Sequence, residues 1–175
     1  MTRLGRFAPL IGLGIFLIAV IWRLATPMDT NVSSKLRNQP VPAFVLPPMV
    51  AGKPALASVD LATGQPHLVN VFASWCVPCI TEVGVLGQLK TRGVAIDGIA
   101  VRDLPEDVAD FLRQNGDPYE RIGSDQRSQV QIALGSSGVP ESFVVDSEGV
   151  IRYQHIGAIK TSDVGLILQK LEQAK

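Results

Sequence analysis

Leu68-Val69-Asn70-Val71-Phe72-Ala73-Ser74-Trp75-Cys76-Val77-Pro78-Cys79 is the stretch that decides how this chain folds. Its first six residues read as a buried strand, and the residues after Cys79 can form a helix. Cys76 therefore falls at a strand-to-helix corner. There the free N–H groups and the positive end of the helix favour a thiolate. A thiolate is the nucleophile of disulfide exchange, and a Cys-X-X-Cys pair at such a corner reads as a redox couple. Cys76 and Cys79 are the only two cysteines of the 175-residue chain.

Three blander readings compete. A purely structural disulfide across so short a loop would constrain little of the unfolded chain. A zinc site needs about four ligands. The two cysteines would need His67 and His155, which do not stand at finger-like spacing. Two inert buried thiols fit poorly with Trp75 and Pro78 beside them. The redox reading is the strongest of the four.

The length allows one domain with a real core plus an appendage. Lys+Arg and Asp+Glu both number 16, so the net charge is zero. No run of basic residues stands out, which argues against nucleic acid as a partner. Apolar residues make up 46% of the chain, and part of that excess lies at the N-terminus. Residues 7–22 (FAPLIGLGIFLIAVIW) carry no charge. They fall slightly short of the about 17–25 residues of a bilayer span. Residues 4–25 are long enough if Arg6 and Arg23 snorkel to the two interfaces.

A cleaved signal peptide is the competing reading of that segment. Residues 23–27 offer no good small-x-small site, and Pro27 sits awkwardly for a peptidase; a weak site remains at Val32-Ser33-Ser34. An uncleaved anchor is expected. Charge bias is nearly uninformative about its orientation, because Arg3, Arg6 and the terminal amine face Arg23, Lys35 and Arg37. Residues 29–40 are polar and read as a linker. The expected division is an anchor over 1–25, a linker over 26–40 and a folded domain over 41–175.

Pro40, Pro42, Pro47 and Pro48 punctuate a short extended piece around Phe44-Val45-Leu46. Strand and helix signals then alternate, with no internal repeat. A strand is predicted over 68–73, and a helix from Cys76 to about Lys90. Gly84 and Gly87 weaken that helix by about 1 kcal/mol each relative to Ala. A second apolar strand follows over 94–101. A helix is predicted over 105–115: Pro105 suits its first turn, Glu106 and Asp107 suit its positive end, and Gly116 ends it. A short helix lies around 125–134, stopped by Gly135. Strands over 142–145 and 150–154 are joined by the turn Asp146-Ser147-Glu148-Gly149. Residues 161–173 form a final amphipathic helix. A βαβ unit followed by a β-hairpin and a helix is a thioredoxin-like α/β order, with a mixed sheet flanked by helices.

Two stretches carry a family resemblance: VNVFASWCVPC, and Gly138-Val139-Pro140-Glu141-Ser142-Phe143-Val144-Val145-Asp146 with Gly149. Together they resemble the membrane-anchored thioredoxin-like proteins of cytochrome c maturation, the CcmG/DsbE type. The resemblance covers about residues 40–175, and the N-terminal anchor fits it. It implies Cys76 as the exposed attacking thiol and Cys79 as the buried resolving thiol, with Trp75 beside them. Pro140 matches the family's cis-proline, which faces the Cys pair. Glu82 matches an acidic residue one turn into the helix, and Glu141 the acidic residue after the cis-proline. Read from the sequence alone, each glutamate is a solvated surface charge. A carboxylate beside Cys79 would raise the thiol's pKa and could shuttle its proton. The chain departs from the family at Val77-Pro78, which offers no His or Lys to a thiolate. Gly84, Val85 and Gly87 also stand where related helices are richer in polar residues.

The resemblance implies a thiol:disulfide oxidoreductase held in a bacterial inner membrane, with its catalytic domain in the periplasm. It implies reduction of apocytochrome c, or of the haem-lyase component that handles its Cys-x-x-Cys-His site. Electrons would return from a membrane thiol transporter of the DsbD/CcdA kind. No tightly bound cofactor and no metal are implied. A TlpA/ResA-like general reductase would share the chemistry and differ in client. A copper-binding chaperone is the rival from another class. It usually spaces its cysteines by three residues and adds a ligating His, for which His155 is the only distal candidate.

Overall fold

The structure, a computed structural model, describes residues 12–18 and 36–175. Residues 12–18 are helical; the rest of the expected anchor over 4–25 lies outside the described residues. Among the described residues, no helix is long and apolar enough to cross a membrane.

The elements of the larger unit follow in chain order. Strands β1 (Val45–Leu46) and β2 (Leu56–Ala57) pair antiparallel as a small hairpin. β3 (His67–Phe72) leads into α1 (Val77–Thr91), and β4 (Ala95–Val101) into α2 (Pro105–Asn115). β5 (Arg121–Asp125) and the short α3 (Gln129–Ala133) follow. β6 (Glu141–Val145), β7 (Ile151–Ile156) and α4 (Val164–Glu172) complete it.

The five long strands form one sheet in the order β5-β4-β3-β6-β7. β3, β4 and β5 run parallel, while β6 and β7 run antiparallel to their neighbours. This is the mixed, thioredoxin-like α/β sheet that the sequence predicts. β3 lies at its centre, with all six residues buried, which is why it reads as a nearly continuous apolar run. α1 packs against both α2 and α4, and its face with Cys79, Glu82, Val83, Leu86 and Leu89 is buried.

Four elements differ from the sequence expectation. β5 was not predicted, and the helix expected around 125–134 shrinks to Gln129–Ala133 behind it. Arg121–Asp125 carries one strong strand former, Ile122, and a glycine. The glycine is there for packing: a Cβ on Gly123 would lie 2.7 Å from Leu46 Cβ and 3.1 Å from Leu56 Cβ. The β1–β2 hairpin, also read only in part, presses onto that bare backbone. The predicted helix over 161–173 opens with a 3-10 turn, Thr161–Asp163. At the end of the expected linker, Asn38 N–H donates to Ile151 O at 2.7 Å and Val41 N–H to Gly149 O at 2.9 Å. Pro40 forms an isolated antiparallel bridge with Val150, so the segment lies along the hairpin edge.

Gly98 in β4 shows how tightly the centre is filled. An added Cβ would stand 2.9 Å from Phe72 Cε1 and 3.0 Å from Tyr119 Cδ1. Both rings are fully buried and stacked, with centroids 4.7 Å apart. Neither ring can yield without moving the other. Gly98→Ala is expected to lower unfolding stability by about 1–3 kcal/mol, the usual cost of overpacking. Urea melts with an unchanged m-value would read it.

Candidate active site

β3 ends at Phe72 and α1 begins at Val77, so Cys76 stands at the corner between them as the N-cap of α1. Its Sγ accepts the Cys79 N–H at 3.2 Å, a place usually taken by a hydroxyl or carboxylate oxygen. Pro78 falls in the first turn, where its missing N–H costs nothing. Cys76 and Cys79 are joined as a disulfide, with Cα atoms 5.2 Å apart. Cys76 is 5% exposed and Cys79 1%. The expected exposed thiol at Cys76 is thus mostly covered in this oxidised form; only the ranking of the two matches. The disulfide and the Cys79 N–H both draw its sulfur over the first turn.

The corner is tied to the end of β4. The N–H and hydroxyl of Ser74 donate to the two oxygens of Asp103, at 2.5 and 2.8 Å. The Trp75 indole N–H donates to Arg102 O at 3.2 Å, leaving the ring 58% exposed beside Cys76. Arg102 holds a left-handed backbone (φ 50°), uncommon for a residue with a side chain. Its Nε donates to Ser128 Oγ at 2.9 Å, which anchors that turn.

Pro140 immediately precedes β6, and its bond to Val139 is cis. β6 runs antiparallel to β3 with Glu141 opposite Val71. That register sets the loop before β6 beside the corner after β3. A groove of about 260 Å³ lies between them, lined by Trp75, Val101, Arg102, Ile132, Gly138 and Val139.

Both candidate glutamates are buried, each only 1% exposed, so the surface-charge reading fails. Glu82 lies three residues after Cys79 on α1, which places the two on one face of the helix. Cys79, Leu86 and Leu89 on that face are buried too. This spacing was the signal available in the sequence. Glu82 Oε1 accepts from Asn70 Nδ2 at 2.9 Å, and Oε2 from the Ile159 N–H at 3.0 Å. Burial pushes its pKa from an ordinary 4.5 up to about 7, against the opposing pull of these two donors. Glu141 faces elsewhere. Its carboxylate accepts from the Ser137 N–H at 2.8 Å and from Gln154 Nε2 at 2.5 Å. It clamps the loop that carries Pro140.

The sequence reading did not single out Asn70, Tyr119, Ser142, Arg102 or Asp103 as site residues. Only Asn70 carried a signal, as an amide inside a buried strand. His67 lies at the other end of β3, with Nδ1 2.7 Å from Asp97 Oδ2 and Nε2 3.0 Å from Thr63 Oγ1. His155 on β7 stands 3.8 Å from Asp163 Oδ2. Among the described residues, no three His, Cys, Asp or Glu side chains converge where they could hold a metal ion.

Known proteins are similar to this chain in sequence and in fold. The family profile Redoxin matches residues 36–169. The thiol:disulfide interchange protein DsbE of Escherichia coli is 35% identical over 155 residues, covering 85% of this chain and 84% of that protein. The thiol:disulfide interchange protein HelX of Rhodobacter capsulatus is 35% identical over 158 residues, covering 90% and 89%. A solved structure described as a thiol:disulfide interchange protein DsbE from Chlorobium tepidum superposes with a TM-score of 0.67 at 25% identity. It covers 79% of this chain and 96% of that one. The match runs from the segment before β1 into α4 rather than over the cysteine motif alone. The chain therefore belongs to the Redoxin family, among the DsbE and HelX thiol:disulfide interchange proteins.

Proposed function

We propose that this thiol:disulfide oxidoreductase works in the reductive direction during cytochrome c maturation. Its client is apocytochrome c, or the haem-lyase component that handles the Cys-x-x-Cys-His site. The observation that carries the reductive reading is the buried Glu82 carboxyl one turn from Cys79. A carboxyl that titrates near neutrality suits a group that takes a proton from a thiol and returns it. The resemblance of the CVPC and GVPES motifs to the cytochrome c branch supports the choice of client.

In the reduced protein the Cys76 thiolate attacks one sulfur of the client disulfide. A mixed disulfide forms, and one client sulfur leaves as a thiolate. Glu82 takes the proton of Cys79, whose thiolate attacks Cys76 Sγ. The second client sulfur leaves, and both client thiolates take up protons. The client gains two electrons, and the protein ends with the Cys76–Cys79 disulfide. A membrane thiol transporter of the DsbD/CcdA kind restores the two electrons. Trp75 and the Val139 side of the groove meet the client, while Pro140 and Glu141 hold that side in place.

Residues 1–25 serve as an anchor in the inner membrane, 26–40 as a linker, and 41–175 as a periplasmic domain. The helical residues 12–18 support this, with Leu13, Ile15, Phe16 and Ile18 all exposed. After an alkaline carbonate wash the protein is expected in the membrane pellet. Recovery in the supernatant would refute the anchor.

Cys79→Ser tests the client. With the resolving sulfur gone, mixed disulfides on Cys76 accumulate in cells. Apocytochrome c or a haem-ligation component is expected among them. Trapping only unrelated periplasmic proteins would replace this reading with that of a general reductase.

A further inference from the structure

Asn70 is fully buried in the central strand, and every polar atom of its side chain is engaged. Oδ1 accepts from the Tyr119 hydroxyl at 2.8 Å. Nδ2 donates to Glu82 Oε1 at 2.9 Å and to Ser142 Oγ at 3.0 Å. The chemistry of the partners determines which way the amide faces. Turned over, its oxygen would meet the Glu82 carboxylate, acceptor against acceptor. Against Oδ1 the Tyr119 hydroxyl can only donate. The Tyr119 ring is itself held, 1% exposed and stacked on Phe72, in the space that Gly98 leaves open.

We propose that Tyr119 and Asn70 form a positioning relay for the exchange reaction. The Tyr119 hydroxyl locks the Asn70 amide with its NH2 group toward Glu82, and the amide thereby sets how tightly the Glu82 carboxyl holds its proton. The proposal rests on the reading of Glu82 as the proton acceptor of Cys79. Both Glu82 oxygens meet an N–H donor, one from Asn70 and one from Ile159. The carboxylate accepts strongly from both, whereas the hydroxyl oxygen of the acid is a poor acceptor. The protonated acid must turn its O–H toward a donor or give up a bond. The relay thus favours the ionised form and opposes burial, which favours the neutral one.

Without the Tyr119 hydroxyl, Oδ1 loses its donor and the amide is free to turn. Its oxygen can then accept the O–H of protonated Glu82, so the carboxyl holds its proton more tightly. The titratable groups around Glu82 are the Cys76–Cys79 pair on its own helix and Tyr119. Burial first, and Glu82 second, push the Tyr119 ionisation far above its ordinary range, so it acts only as a neutral donor. Asn70, Ser142 and the Ile159 backbone do not titrate, and Lys160 beyond Ile159 is exposed.

The test is Tyr119→Phe in the full chain. Glu82 is followed by carboxyl 13C NMR, with its signal assigned through Glu82→Gln. Cys79 is followed by its alkylation rate against pH in a Cys76→Ser background. The Glu82 midpoint is expected to rise by about half to one pH unit, and the Cys79 profile to shift toward lower pH, because a Glu82 that stays neutral to higher pH puts less negative charge beside the thiolate. In a Glu82→Gln background, Tyr119→Phe should leave the Cys79 profile where Glu82→Gln puts it. An unmoved Glu82 midpoint would overturn the relay. A moved midpoint with an unmoved Cys79 profile would overturn its part in the exchange. Failure of the parent reading shows separately, as a Cys79 profile indifferent to Glu82→Gln alone. If Tyr119→Phe does not fold, a difluorinated tyrosine at 119 keeps the hydroxyl and strengthens it as a donor. It should lower the Glu82 midpoint, and a midpoint that stays or rises overturns the relay.

Discussion

Cys76→Ser is expected to bring disulfide reduction down to the uncatalysed background, a loss of at least about a thousandfold. Cys76 caps α1, so its sulfur sits over a first turn whose backbone N–H groups lack i−4 helical partners, Pro78 having none to offer. One of these, Cys79 N–H, already donates to Sγ. On reduction the same donor and the helix dipole favour the Cys76 thiolate. A serine hydroxyl keeps the cap but is no nucleophile toward sulfur at neutral pH. The fold should therefore survive while activity does not. Cys79→Ser should differ in kind, with the first attack intact and the reaction stopped at the mixed disulfide. Alkylation of the reduced wild type should modify Cys76 much faster than Cys79. Faster labelling of Cys79, or turnover by Cys76→Ser, would reverse the roles given to the two sulfurs.

Glu82→Gln is expected to remove a pH dependence from both stability and redox chemistry. The folded Glu82 carboxyl titrates at about 7, above its ordinary 4.5. The folded state thus holds this proton more tightly than the unfolded chain. The stability that goes with that proton is fully present below about pH 4.5 and is lost as pH rises through about 7. The shift is worth about 3 kcal/mol. Urea melts of the oxidised protein should show wild type weakening across that window. Glu82→Gln should lack this loss. Asp146 and Asp163 carry lowered pKa values, so their effect falls at more acid pH and leaves the window clear. In the reduced protein, an ionised Glu82 on the face of Cys79 disfavours a thiolate there. Glu82→Gln should lower the pKa of that thiol and make the disulfide more oxidising. Parallel stability curves for the two proteins, or an unchanged potential, would remove Glu82 from the mechanism.

The α2 helix was readable to the residue, because Pro105, Glu106, Asp107 and Gly116 are local signals that act on their own backbone. β3 was readable because a strand buried on both faces must be apolar throughout. β5 was not: Arg121–Asp125 has little strand character of its own. It becomes a strand by bonding to β4 and by accepting Leu46 and Leu56 against Gly123. These are long-range contacts, and no local window contains them.

The site divides in the same way. The sequence by itself determined the chemistry of Cys76 and Cys79, since the reacting sulfurs lie three residues apart and a helix start follows from the adjoining pattern. Only the tertiary structure decided what surrounds them. Glu82 reads as a surface charge until α1 is packed between α2 and α4. Asn70 meets Tyr119 across 49 residues and Ser142 across 72, through neighbouring strands and a loop. A carboxyl's proton affinity depends on the water removed from it and the donors turned toward it. Both come from the assembled sheet and helices, so Glu82 acquires its pKa near neutrality only when the chain has folded.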